Sequence, residues 1–165
     1  MWHALTIAET NLPQVHCTMT STDPFNLERF VEAQARNYSD AIAELRAGHK
    51  DTHWSWYVFP QLRGLGTSPL SVKFAIANLA EAQAYLEHPV LGPHLVECVG
   101  AMLAYPGAKP ETILGDIDAR KFHSCCTLFA QVAAPGSVFH QALTCHFGGR
   151  PDARTLSLLG QASAQ

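Results

Sequence analysis

The sequence predicts an all-α protein, a single compact domain of about seven or eight short helices with no significant sheet. Apolar residues recur at helical spacing over most of the chain, capping residues separate these stretches, and no stretch alternates like a half-buried strand. With 165 residues, 47% hydrophobic and 15% charged, the chain has the length and composition of one globular domain. We assign the domain to residues 23–160, between tails at 1–22 and 161–165.

The first helix is predicted to begin at Asp23, a capping residue, with Pro24 in the first helical position. Apolar residues follow at helical spacing as far as Gly48, which is a typical helix stop. Asn37 lies inside this stretch and its side chain could start a new helix, so a break there is an alternative to one continuous helix.

The next segment, residues 54–59 (WSWYVF), is apolar on every side, so alternation does not distinguish helix from strand. Because its neighbours are helical and no partner strand is evident, we predict a short buried helix that ends before Pro60. The stretch QLRGLGTSP is then a loop, in which two glycines allow unusual backbone angles.

Capping residues also divide the second half of the chain into helices. Asn78 and Glu81 have the spacing of a capping box, and the following helix begins at Pro89 or Pro93. The later segments are one helical turn at PETILG, a helix at ARKFHSCCTLFAQVA capped by Asp116 or Asp118, a helix at SVFHQALTCHFGG started by Pro135, and a short last helix at DARTLSLLG.

Composition argues against several kinds of partner. The formal net charge is −3 and the 11 Lys and Arg residues are scattered, so we expect no nucleic-acid binding. No apolar stretch reaches the roughly 18 residues of a membrane span and the start does not resemble a secretory signal, so we expect no membrane association. Five cysteines, an odd number, favour reduced thiols and a cytoplasmic location.

The stretch THWSWYVFPQLRGLGTS is the first candidate for a binding site. Its tryptophans and tyrosine are most simply explained as core, but polar residues flank them, and aromatic walls with a few directional polar groups are typical of ligand pockets. The glycine loop would let backbone N–H groups approach an anion. The binding residues predicted here are Trp54, Trp56, Gln61, Arg63, Gly64 and Gly66.

The second candidate is the segment DARKFHSCCTLF. Asp118, Lys121 and Cys125 fall at i, i+3 and i+7 on one helical face, and Ser124 lies three residues after Lys121. A helical Lys beside an Asp is most often a solvated ion pair. Only if this face meets the aromatic segment would Asp118, Lys121 and Ser124 line the same pocket.

Two groups of residues have spacings that could suit a metal ion. His94 and Cys98 lie four residues apart on one predicted helix, and the other group is His140, Cys145 and His146. Neither comes with a Cys-x-x-Cys pair or a His-Glu-x-x-His motif, so we expect no metal site. The sequence also lacks a standard nucleotide-binding loop, and no cofactor is expected.

Five blocks of the sequence, in order, resemble the small bacterial and fungal domain-of-unknown-function family 1810. They are DPFNLERFVEAQ, HWSWYVFPQLRGLGTS, EAQAYLEHPVLGPHL, ILGDIDARKFHSCCTLF and HFGGRPDARTLSLL, and they span residues 23 to about 159. The resemblance implies an all-helical single domain without an assigned reaction, and it adds Ser68 to the predicted binding residues. Some members are labelled calpastatin, but this chain contains no extended inhibitory repeat. It departs from the family pattern at Phe74, His94 and the Cys125–Cys126 pair.

These residues favour a pocket for a small polar or anionic metabolite, with a nucleotide-like molecule as one option. If the domain is also an enzyme, His53 is the candidate for general acid–base catalysis and Lys121 would stabilise developing negative charge, in a metal-free hydrolysis or group transfer. The pocket hypothesis predicts that His53→Ala and Lys121→Ala leave folding largely intact. A protein-interaction module and a purely structural polar network are the alternatives.

Overall fold

The computed structural model describes residues 22–162, and within that range it contains helices and no strand, which confirms the all-α prediction. The helices of the described range number nine rather than seven or eight, because short turns of four or five residues are included. They are α1 (Glu28–Ala47), α2 (Ser55–Val58), α3 (Pro69–Lys73), α4 (Leu79–Glu87), α5 (Leu91–Leu103), α6 (Pro110–Leu114), α7 (Asp116–Ala130), α8 (Val138–Phe147) and α9 (Ala153–Ala162).

The predicted tails fall almost entirely outside the described residues. Of the N-terminal tail at 1–22, only Thr22 is described, and it is not helical. At the other end α9 continues to Ala162, two residues into the segment assigned to the C-terminal tail.

Helix α7 is the central element of the domain. It packs against α2, α4, α6, α8 and α9, while α5 packs against α1, α4 and α8. Both faces of α7 are therefore covered, and the adjacent Cys125 and Cys126 are both completely buried. Phe122 and Phe129 of the same helix contact aromatic rings from three other parts of the chain. The side chains that α7 leaves accessible lie near its N-terminal half, where they can form a site.

Helix α1 begins later than predicted and is continuous. The Asp23 carboxylate accepts hydrogen bonds from the backbone N–H groups of Leu27 (2.8 Å) and Glu28 (2.9 Å), so it caps a turn that precedes the helix. The helix does not break at Asn37, and it ends at Gly48, whose φ of 72° lies in the left-handed region that glycine adopts easily.

The aromatic segment forms the predicted short helix, α2, which ends two residues before Pro60. An isolated parallel bridge then fixes the loop, because the Arg63 N–H donates to the Ile76 carbonyl and the Ile76 N–H donates to the Gln61 carbonyl, both at 2.8 Å. Helix α3 was not predicted, and Ser68 caps it by accepting a hydrogen bond from the Ser71 N–H at 3.2 Å. The loop is therefore held at both ends.

Capping was predicted correctly for α4 and incorrectly for α7. The Asn78 side chain accepts a hydrogen bond from the Glu81 N–H at 2.9 Å. Neither Asp116 nor Asp118 caps α7, which has Gly115 at its N-cap position without a side-chain cap. Helix α5 begins at Leu91, between the two prolines that were expected to start it.

No helix within residues 22–162 has both the length and the apolar character needed to cross a membrane.

Candidate functional site

A cleft of about 290 Å³ lies between the loop that follows α2 and the helices α7 and α9. We call it the basic cleft, because its charged lining residues are three cations and one carboxylate. The loop and α3 supply one side, α7 supplies the floor, and the start of α9 supplies the other side. The lining residues are Gln61, Leu65, Gly66, Ser71, Ile117, Arg120, Lys121, His123, Ser124, Asp152 and Arg154.

The loop is attached to the floor of the cleft by a side-chain hydrogen bond. The Gln61 amide Nε2 donates to Ser124 Oγ at 2.8 Å, and Ser124 Oγ in turn donates to the Arg120 carbonyl at 2.7 Å. Gly66 lies against α3 so closely that an added Cβ would be 2.5 Å from the Ser71 Cβ. The structure thus brings four of the predicted residues, Gln61, Gly66, Lys121 and Ser124, into one cleft.

Lys121 belongs to a nearly buried cluster behind the floor of the cleft. Its Nζ lies 2.8 Å from Asp118 Oδ1 and 3.2 Å from Ser55 Oγ, and 4.2 Å from the centre of the Trp56 ring. The other carboxylate oxygen of Asp118 lies 2.8 Å from the Nζ of Lys50. Burial alone would raise the pKa of Asp118, but hydrogen bonds from Lys121, Lys50 and Ser55 outweigh it and lower that pKa. Two ammonium groups share one carboxylate, so the cluster carries a net positive charge.

Arg120 and Arg154 are the accessible cations of the cleft. Both are exposed, and neither forms an ion pair with a carboxylate in the described part of the chain. The Arg120 Nε makes a long hydrogen bond of 3.3 Å to the Asp116 carbonyl, which leaves its terminal nitrogens available. A guanidinium group presents a planar set of donors that matches carboxylate and phosphate oxygens.

His123 is held in a fixed orientation at the edge of the cleft. Its Nε2 lies 2.8 Å from the Arg150 carbonyl, and because a carbonyl only accepts hydrogen bonds, Nε2 carries the proton. The imidazole ring stacks on Phe147 at a centroid distance of 3.9 Å and an angle of 9°. Its Nδ1 makes no hydrogen bond to any described residue. This atom is not fully buried, so it is accessible to solvent.

Comparison with known proteins identifies the family. The chain matches, over residues 24–159, the model of a family described as proteins of unknown function, DUF1810. The chain belongs to the DUF1810 family. It is similar to the crystal structure of the conserved hypothetical protein Rv1873 from Mycobacterium tuberculosis, with 50% sequence identity, 84% of this chain and 99% of that chain covered, and a TM-score of 0.81. No curated protein matches it. The resemblance inferred from sequence is confirmed.

The aromatic residues of this DUF1810 domain do not form the wall of the cleft. Trp54 is completely buried, with an exposed fraction of 0%, and its Nε1 donates to Glu44 Oε2 at 2.8 Å. Trp54 therefore has no ring face open to a ligand, and the expectation that it stacks on one is corrected. Trp56 is half-buried beneath the Lys121 ammonium and does not line the cleft either.

The remaining predicted site residues of the DUF1810 domain lie elsewhere. His53 is exposed and absent from the lining, and its carbonyl accepts a hydrogen bond from the Tyr57 hydroxyl at 3.3 Å. Ser68 is used as the cap of α3. Arg63 lines an apolar groove on another side of the loop, and Gly64, with φ of 98°, packs near Leu158 of α9. Asp118 reaches the cleft only through its contact with Lys121.

The His and Cys groups considered for a metal have other hydrogen-bond partners. His94 Nδ1 lies 2.8 Å from Gln34 Oε1, and His140 Nδ1 lies 2.9 Å from Ser137 Oγ. In the portion of the chain that is described, no three His, Cys, Asp or Glu side chains are close enough to hold a metal ion together.

Seven lining residues of the cleft were not predicted as site residues, and four of these carry a charged or imidazole side chain, namely Arg120, His123, Asp152 and Arg154. The first two occur in the segment DARKFHSCCTLF, but the predicted site residues lie on the face that carries Lys121. Asp152 immediately precedes α9 and Arg154 is its second residue, and only the packing of α9 on α7 brings them to the site. Helical spacing along α7 could have placed Arg120 and His123 beside Ser124 and Lys121, whereas nothing local points to the α9 residues.

Proposed function

We propose that the basic cleft binds a small anionic metabolite. The observation that carries this proposal is the presence of two arginines, Arg120 and Arg154, that line one cleft from different helices without an ion-pair partner among the described residues. Two guanidinium forks on one cleft suit a phosphate or carboxylate group. The net positive charge of the Lys50–Asp118–Lys121 cluster behind the floor adds to the attraction.

The size and the polar groups of the cleft narrow the kind of ligand. A volume of about 290 Å³ is at the lower end of the roughly 300–1,000 Å³ that is usual for ligand pockets. This favours a molecule no larger than a mononucleotide. Gln61 and Ser124 contribute an amide and a hydroxyl on the floor, which would orient the ligand.

A metal-free hydrolysis or group transfer is the more specific form of this proposal. In that case the acid–base residue would be His123 rather than His53, because His123 is the imidazole that lines the cleft and its ring is fixed by Arg150 and Phe147. An imidazole is suited to proton transfer near neutral pH.

One observation favours the alternative, a protein-interaction module. A groove of about 380 Å³ with a mainly apolar lining runs between the loop, the start of α4 and α9. Leu79 on its rim is 38% exposed. A binding screen in which no small molecule is detected would favour this alternative over a metabolite site.

The test is a thermal-shift screen against mononucleotides and sugar phosphates, on the wild type and on Arg120→Ala and Arg154→Ala. A ligand at a hundred times its Kd stabilises a fold by about 2.7 kcal/mol, which is readily measured. We expect compounds that stabilise the wild type to lose at least about tenfold in affinity in each variant, because each removes charged hydrogen bonds.

Arg36→Ala is the matched control, since Arg36 is also exposed but lies on α1, where it lines a separate groove away from the cleft. Binding that is retained in all three variants, or absent from the wild type, would contradict the proposal. Lys121→Ala is a poor probe because Lys121 is buried and bonded to Asp118 and Ser55, so we revise the expectation that this change leaves folding intact.

A further inference from the structure

We infer that the ligand of the basic cleft is a phosphate ester that also carries hydroxyl groups, as in a sugar phosphate or the sugar-phosphate part of a nucleotide. Asp152 and His123 would accept hydrogen bonds from those hydroxyls while the arginines hold the phosphate. The inference rests on the proposed function and adds the class of ligand to it.

The first observation is the position of the Asp152 carboxylate. Its Oδ2 accepts hydrogen bonds from the N–H (2.9 Å) and the hydroxyl (2.6 Å) of Thr155, and the Asp152 N–H donates to Thr127 Oγ1 at 2.8 Å. Asp152 is thus fixed on both its backbone and its side chain. It lines the cleft, and its Oδ1 has no hydrogen-bond partner within residues 22–162.

The second observation is that the free atoms of Asp152 and His123 are both acceptors. An ionised carboxylate oxygen accepts hydrogen bonds and donates none, and His123 Nδ1 accepts in the neutral ring because Nε2 holds the proton. Both atoms lack a hydrogen-bond partner among the described residues, and neither is fully buried. Each therefore faces space that water or a ligand can occupy.

The third observation is that Asp152 and the two arginines of the cleft do not form ion pairs with one another. Asp152 and Arg154 are two residues apart and line the same cleft, yet Asp152 forms no ion pair with Arg154 or with Arg120. The cleft therefore offers donors and acceptors at the same time. A bare oxyanion would satisfy the arginines but would be repelled by the carboxylate, whereas hydroxyl groups beside the phosphate would satisfy both.

The test on the ligand side compares two phosphate esters of nearly equal size. Glycerol 3-phosphate carries two hydroxyl groups and propyl phosphate carries none. We expect titration calorimetry on the wild type to show at least about tenfold tighter binding of glycerol 3-phosphate, which corresponds to about one hydrogen bond to a charged group. Arg154→Ala should weaken both compounds.

The test on the protein side is Asp152→Asn. Asparagine caps helices as well as aspartate does, so its amide oxygen can accept the Thr155 bonds and its NH₂ group would then replace Oδ1 in the cleft. This exchanges an acceptor for a donor. We expect glycerol 3-phosphate to bind at least about tenfold more weakly and propyl phosphate to bind as well as before or better. Asp40→Asn, a change at an exposed position on α1, is the control.

The possible results separate this inference from the proposed function. Equal affinity of the wild type for the two esters, or equal effects of Asp152→Asn on both, would overturn the hydroxyl assignment and leave anion binding in place. If neither ester bound and the wider screen were also negative, the proposed function would be rejected and this inference with it. Because the two esters are compared on unmodified protein, the result stands even if Asp152→Asn unfolds.

Discussion

At the scale of single residues, the Asp118 carboxylate compensates the charges of two nearly buried ammonium groups, those of Lys50 and Lys121. The side chains of Lys50, Asp118 and Lys121 are 6%, 14% and 11% exposed, and the carboxylate contacts both lysines at 2.8 Å. Removing one member of a buried ion pair leaves an uncompensated charge, and this typically costs about 3–5 kcal/mol. We therefore expect Asp118→Asn to lower the free energy of unfolding by about 3 kcal/mol, as measured by urea denaturation.

Asp40→Asn serves as the control, because Asp40 is exposed on α1 and makes no ion pair with another described residue. Its effect should be within about 0.5 kcal/mol of zero. Equal effects of the two substitutions would mean that the lysines find other partners or water when the carboxylate is lost.

Residue contacts also explain why the aromatic segment was misjudged. Two tryptophans beside polar residues have the composition of a binding wall, but the indole N–H of Trp54 is satisfied by Glu44, ten residues earlier in the chain. The Lys121 ammonium covers Trp56 from α7. Neither partner is adjacent in sequence, so composition alone could not distinguish core from wall. Helical spacing, which is local, predicted that Lys121 and Ser124 share a helix face. Their meeting with Gln61 was stated only as a condition, because it depends on a contact between distant parts of the chain.

At the scale of secondary-structure elements, Gly92 allows α4 and α5 to meet. A Cβ at Gly92 would be 2.0 Å from the carbonyl oxygen and 2.9 Å from the carbonyl carbon of Leu86, which are backbone atoms of α4 that cannot rotate away. Gly92→Ala must therefore separate the two helices. We expect it to destabilise the domain by about 3 kcal/mol or more, which denaturant unfolding would measure.

Gly100 provides a control on the same helix, because a Cβ there meets no atom within 4 Å. Gly100→Ala should stabilise the domain by about 0.5–1 kcal/mol, since alanine is the better helix former. The two substitutions are chemically identical and should have effects of opposite sign. A similar loss of stability in both would show that the close approach at Leu86 is not what matters.

Helix boundaries were predictable where a short-range capping interaction sets them. Asn78 caps α4 and Gly48 ends α1 as their residue types suggest. Asp116 or Asp118 was expected to cap α7, but buried lysines draw the Asp118 carboxylate away from the helix start. Helix α3 has five residues and none of them is buried, so it has no apolar periodicity to reveal it. Contacts between distant parts of the chain therefore set the helix boundaries where no local capping interaction did, or where a capping residue had another partner.

At the scale of the whole molecule, groups whose pKa is lowered by folding should make the fold sensitive to acid, and three of them are His94, Glu44 and Asp118. Burial lowers the pKa of His94 below 6.5, although Glu97 partly counters this. Burial would raise the pKa of Glu44, but hydrogen bonds from Thr52, Trp54 and the Asp51 N–H lower it from 4.5 to about 2. The pKa of Asp118 is lowered below 3.8. In each case the unfolded chain has the higher pKa, so it binds more protons over the interval between the two values and stability falls as pH falls.

These intervals predict a loss of stability in two stages. Stability should be greatest above the unfolded pKa of His94, near 6.5, and should decrease modestly below it as the unfolded histidine becomes protonated. A steeper decrease should begin near pH 4.5. There Glu44 becomes protonated in the unfolded chain, whereas in the folded protein it stays ionised down to about pH 2. Urea unfolding at about pH 7.5, 5 and 3.5 measures both stages.

His94→Gln should remove the first stage and Glu44→Gln should reduce the second, each without changing the other. If Glu44→Gln left the steep stage unchanged, the hydrogen bonds around that carboxylate could not be the source of acid sensitivity. Asp118 and Asp23 would be the remaining described carboxyl groups with a lowered pKa.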